Sequence, residues 1–194
     1  MEKQALEISA EVTPNPNTLK FNVNRTLVEA GSMNFPDAEK ARGSFLPETL
    51  FGIQDVIGVM AGRDFITVTK RSASSWQAIV PAVTEKIKWA LGEGKPLFSA
   101  EGGPALGGQA AAPAETVSGG DIEQKIREIL DNEIRPAVAM DGGDITFCGY
   151  KDGVVILHLQ GSCSSCPSSI MTLKMGVENR LKASIPEVRE VVQV

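Results

Sequence analysis

Ile8, Ala10 and Val12 alternate with polar neighbours, and after Pro14-Asn15-Pro16-Asn17 the alternation resumes at Leu19, Phe21 and Val23. A period of two on both sides of a turn predicts a β-hairpin. Residues 46–53 read as a short helix with Pro47 tolerated in its first turn. Residues 56–60 and 65–69 then read as a second hairpin across Ala61-Gly62-Arg63-Asp64. From Ser75 onward, Trp76, Ile79, Val80, Val83, Ile87 and Leu91 recur at helical spacing and predict an amphipathic helix.

The pattern restarts after residue 120. Asp121 with Gln124 resembles a capping pair, and Ile122, Ile126, Ile129, Leu130 and Ile134 form a stripe expected to end near Arg135, the residue before Pro136. Asp141-Gly142-Gly143-Asp144 marks a turn whose Gly and Asp favour that role over one at a site. Residues 145–150 and 154–160 read as strands joined by Lys151-Asp152-Gly153. A second helical stripe runs through Ile170, Leu173, Val177 and Leu181 to Pro186, and residues 188–194 have the β-branched composition of a last strand. The fold class is therefore α/β (α+β), with two small mixed domains. The C-terminal one has the order α-β-β-α-β, a three-stranded sheet covered by helices on one face.

Between these halves, residues 99–120 hold six Gly, six Ala and two Pro in 22 positions. That composition describes a flexible linker with a mean end-to-end span of roughly 25 Å as a random coil. The expected division is a docking domain at 1–98, the linker at 99–120 and a second domain at 121–194. The whole chain of 194 residues is 42% hydrophobic and 22% charged, which excludes disorder throughout. No apolar run reaches the roughly 18 residues of a membrane span, and the start resembles no signal peptide. A cytoplasmic location is expected, or the mitochondrial matrix if a targeting segment has been removed. With 19 Lys and Arg against 24 Asp and Glu, a net charge of -5 and no basic cluster, nucleic acid is not an expected partner.

Charge excludes partners, whereas sulfur suggests chemistry. The chain has three Cys and one His, all after residue 120. The first domain has neither residue and no phosphate loop, so it reads as a binding or docking module. Cys163 and Cys166 form a CxxC pair between a strand and a helix, with Pro167 at an early helical position. The positive end of that helix is expected to depress both thiol pKa values. Cys148 shares strand parity with Thr146 and Tyr150, opposite Ile145 and Phe147, and is expected to be a buried or half-buried filler. His158 is expected to point away from the main core. Four-ligand zinc or [4Fe–4S] sites need twice what the pair supplies. Two chains meeting at a two-fold axis would bring four thiolates together. A thiol–disulfide oxidoreductase using the CxxC pair and a zinc-bridged structural dimer remain open at this point.

The runs IRPAVAMDGGDITF and GVVILHLQGSCSSCPSSIMTLKMGVENRLKASIPEV closely resemble the C-terminal domain of NifU and the Nfu-type iron–sulfur proteins. TPNPNTLKFNVN, TLFGIQDVIGVMAGRDFITVTK and the Trp-led helix resemble the N-terminal domain of the same proteins. The resemblance covers nearly all of the chain except the linker. It implies a non-enzymatic scaffold or carrier, with a [4Fe–4S] cluster shared between two protomers and passed to apo-proteins. Carried over residue by residue, the ligands are Cys163 and Cys166. The implied partners are a second copy in the loaded form, apo iron–sulfur targets and upstream cluster assembly proteins. Ser162, Ser164, Ser165 and Ser168 are candidates for hydrogen bonds to cluster sulfides, although their small size alone would also suit them to the turn.

Overall fold

The computed structural model describes residues 5–29, 31–99, 120–163 and 167–194, the last of these without the side chains of 167–170. Cys166, Ser164, Ser165 and the side chain of Ser168 therefore lie outside the described residues, as do residues 100–119 of the expected linker.

Both expected hairpins form, as β1 (Ile8–Val12) with β2 (Thr18–Val23) and β4 (Val56–Ala61) with β5 (Phe65–Lys70). They join through β2 and β5 into one antiparallel sheet of order β1-β2-β5-β4-β3, in which β3 (Met33–Phe35) is an edge strand. The hydrophobic positions of one face, with Phe21, Val59, Ile66 and Val68 at its centre, are covered by α1 (Phe45–Phe51) and α2 (Trp76–Gly92). Helix α2 begins where Ser75 Oγ accepts the Gln77 N–H at 3.3 Å, and its stripe of Ile79, Val83, Ile87 and Ala90 is fully buried.

The second domain has the expected element order, with β6 (Gly143–Lys151) and β7 (Val154–Gly161) antiparallel and β8 (Glu190–Gln193) parallel to β7. Helices α3 (Gly120–Ile129) and α5 (Pro167–Ser184) cover one face around Ile126, Leu130, Val138, Ile145, Leu157, Val177 and Leu181. Among the described residues, no helix is long and apolar enough to cross a membrane.

Three local expectations are corrected here. The first helix does not stop at Arg135: it passes through a π turn (Leu130–Ile134) and continues as α4 (Arg135–Met140). The Arg135 N–H bonds to Leu130 O, five residues back, so the turn is widened immediately before Pro136 and the proline lacks only a donor that the helix does without. Gln124 does not cap that helix, because its side chain donates to Glu128 at 3.1 Å. Cys148 is exposed rather than buried. The pairing of β6 with β7 slips between Phe147 and Gly149, which makes Cys148 the extra residue of a bulge. The bulge breaks the strand's parity, so Tyr150 packs against the same core as Phe147.

Candidate functional site

Cys163 stands two residues beyond the end of β7, in the turn that leads to α5. Three short-range arrangements fix that turn. The Ser162 N–H donates to Gly142 O at 3.2 Å and its hydroxyl donates to Asp141 O. The same hydroxyl lies 3.7 Å from Cys163 Sγ. Gly143 approaches from β6 so closely that a Cβ there would fall 2.5 Å from Cys163 Sγ and 3.0 Å from Gln160 O. A glycine is therefore required beside the thiol. The neighbouring Gly142, at φ +75°, turns the chain out of α4 into β6.

The turn is braced from behind by a buried carboxylate. Asp144 accepts from Arg135 Nε at 3.1 Å and from the Ile145 N–H at 2.8 Å, while Arg135 also donates to Asp131 at 2.6 Å and to Ile145 O at 2.9 Å. This fork-shaped anchoring ties the helix segment after the π turn to the strand that carries Gly143. It was not anticipated from the sequence, where Asp144 reads only as a turn residue; Arg135 and Asp144 are nine positions apart with no periodic signal linking them.

Between the π turn and α5 lies a cavity of about 510 Å³ lined by Ile134, Val138, Leu173 and Val177, with Cys163 and Asp141 at its polar end. Pro14 of the first domain also lines it. Arg180 of α5 clamps Glu133 of the π turn through both carboxylate oxygens, one at 2.8 Å, and this bond draws the Glu133 carboxyl below its ordinary pKa. The cavity thus lies between two tied helices, with a buried soft sulfur donor in its lining.

The expectation of two acidified thiols is corrected for Cys163. Burial raises its pKa, the Ser162 hydroxyl offsets part of that rise, and the Asp141 and Asp144 carboxylates add to it. Burial is the largest of these influences. Exposed Cys148 is also raised by partial burial, so access separates the two thiols. Iodoacetamide at about pH 8 should label Cys148 in the apo chain while Cys163 stays largely unmodified, as read by peptide mass; equal labelling would contradict the burial of Cys163.

His158 is half-buried with its Nδ1 3.2 Å from Gln160 Nε2, outside the core cluster that holds Leu157 and Leu159, as expected. Among the described residues, no group of three or more His, Cys, Asp and Glu could hold a metal ion. The structure thus brings Cys163 together with Gly143, Ser162 and Asp141, and leaves Cys148 and His158 apart from them.

The sequence of this site and of the domain before it has clear relatives. Residues 126–192 match the NifU-like domain, and residues 8–94 match the N-terminal domain of scaffold protein Nfu/NifU. The mitochondrial NFU1 iron-sulfur cluster scaffold homolog of Homo sapiens is 42% identical over 188 residues, which span 96% of this chain and 71% of that protein. NifU-like protein 4, mitochondrial, of Arabidopsis thaliana is 39% identical over 197 residues, 99% of this chain and 67% of that protein. A solution structure of a NifU-like protein from Saccharomyces cerevisiae is 27% identical and aligns with a TM-score of 0.43 over 52% of this chain and 91% of that one. With both domains matched in order and the relatives aligned across nearly its whole length, the chain belongs to the Nfu/NifU-like family.

Proposed function

We propose that the chain is an iron–sulfur cluster scaffold and carrier, whose cargo is a [4Fe–4S] cluster held between two protomers by Cys163 and Cys166 of each. The observation that carries this reading is a buried thiol lining a cavity tied between two helices, in a chain that belongs to the Nfu/NifU-like family. Two chains related by a two-fold axis supply four thiolates, as a four-iron cluster requires. The missing Cβ at Gly143 is what lets the sulfur sit in this turn, with the Ser162 hydroxyl beside it. The relatives' names as scaffolds support iron–sulfur cargo, and their mitochondrial designations favour the matrix over the cytoplasm.

The chain's work is ligand exchange rather than catalytic turnover. Cysteines of an apo-protein replace Cys163 and Cys166 one at a time, and the cluster leaves with its new ligands. Upstream assembly proteins load the pair by the reverse exchange.

Anaerobic reconstitution with iron and sulfide tests this directly. The expected product is a dimer by sedimentation, with about two irons and two acid-labile sulfides per chain, half of a four-iron cluster. That product should restore an apo iron–sulfur enzyme. Zinc near one per two chains without sulfide would instead identify a structural dimer, and insulin reduction by the metal-free chain would identify an oxidoreductase.

A further inference from the structure

The first sheet has a helix-free face, and the second domain covers it. Lys20, Thr67 and Met60 stand in register on β2, β5 and β4, forming one row across that face. A sheet face opposite its helices is normally wet, yet Thr67 and Met60 are each only 1% exposed. Each residue of the row meets a different part of the structure that borders Cys163. Lys20 Nζ donates to Ala139 O at 2.9 Å, at the carbonyl end of α4. A Cβ at Gly142 would lie 2.8 Å from Thr67 Cγ2, and one at Gly161 would lie 2.8 Å from Met60 Sδ.

Four hydrogen bonds across this contact run one way. Asn15 Nδ2 donates to Ser162 O at 3.1 Å, Lys20 donates to Ala139 O, and the Ser32 hydroxyl donates to the Asp144 carboxylate. The first domain supplies the donors, and the second supplies the carbonyls of Ser162, Ala139 and Met140 and the Asp144 carboxylate. Pro14, beside Asn15, reaches the cavity that Cys163 opens into.

We propose that the helix-free face of the first sheet is a docking surface for the Cys163 turn of the same chain, occupied in the metal-free form and vacated when two chains share a cluster. This rests on the carrier reading above, because four thiolates on one cluster require two Cys163 turns to face each other within a few ångström, and here that turn already faces the Lys20–Thr67–Met60 row. Residues 100–119 contribute at most about 70 Å of reach when extended, so the first domain can withdraw without either fold changing. Withdrawal uncovers the donor face only in the loaded form, when an acceptor protein has something to collect.

The test uses the full-length apo chain. Lys20→Glu sets a carboxylate against Ala139 O, and Ser32→Asp sets one against Asp144, both on the first domain's surface and neither beside Cys163. By X-ray scattering, the wild-type apo chain should approach the radius of gyration of a compact body of its length, about 16 Å, and either variant should expand it by several ångström with unchanged far-UV circular dichroism. In anaerobic reconstitution the variants should acquire sulfide several-fold faster and reach the wild-type content. An apo wild type that is already extended, or a loading rate that neither variant changes, overturns the self-contact and leaves the carrier reading intact. A wild type that forms no sulfide-bearing dimer overturns the carrier reading, whereas a compact apo form that either variant expands still supports the self-contact. Using two variants at separate positions keeps the test valid if one of them fails to fold.

Discussion

Cys163→Ala and Cys166→Ala should each bring the acid-labile sulfide of the reconstituted chain to background, while Cys148→Ala should retain the wild-type content. The effect is large because symmetry doubles it: one substitution per chain removes two of the four thiolates in a two-fold dimer. Three thiols on one chain make the comparison internally controlled. Cys163 borders the cavity with Ser162 and Asp141, whereas Cys148 is exposed at a bulge of β6, its Sγ 3.8 Å from Thr146 O. The apo fold should tolerate Cys163→Ala well, since a free buried Cys behaves as a small hydrophobe. A melting temperature close to wild type alongside lost sulfide would separate ligation from packing. Sulfide retained by Cys166→Ala, or lost in Cys148→Ala, would refute the ligand assignment.

Gly143→Ala should also prevent cluster loading, through a position that holds no ligand. Its new Cβ would fall 2.5 Å from Cys163 Sγ, and the strain cannot be relieved by the thiol alone, because the same Cβ would also lie 3.0 Å from Gln160 O. That second neighbour is backbone of β7, fixed by the ladder with β6. Overpacking of this kind costs about 1–3 kcal/mol, and here the adjustment falls on the sulfur and the turn that presents it. Gly149→Ala is the matched control on the same strand, since nothing lies within 4 Å of the Cβ it would add. Chemical denaturation should show the loss for Gly143→Ala alone, and reconstitution should show sulfide for Gly149→Ala alone.

How legible each part was depended on how many residues carried its signal. Strands β1, β2, β4 and β5 each present several alternating positions, and α2 presents a long stripe, so local pattern sufficed. Strand β3 is three residues long and offers too little alternation to separate it from loop. The continuation of α3 through Pro136 had a signal that the ordinary helical period conceals. Buried Ile126, Leu130, Ile134 and Val138 repeat every four residues, more than the 3.6 of an α-helix, and a strict four-residue repeat requires an underwound segment. At Cys148 a single inserted residue inverted the parity argument, and no composition cue marks a bulge. The CxxC residues were legible as chemistry, but the acidity of Cys163 was not, because burial and two carboxylates act from elements that only the fold brings near. The same is true of Asn15 with Ser162 and Lys20 with Ala139, partners more than a hundred positions apart.

The widened turn before Pro136 also says where this chain can change length. Asn132 sits within it, exposed. Losing that one residue would turn the four-four-four spacing from Ile126 to Val138 into four-three-four, the spacing a regular α-helix presents on one face. The helix would then close to an ordinary turn with Arg135 still directed at Asp144 and Val138 still in the core. A deletion anywhere in α3 would instead swing everything after it by about 100° around the axis. The turn is therefore the place in this helix where a deleted residue can be absorbed without altering which side chains face the cysteine.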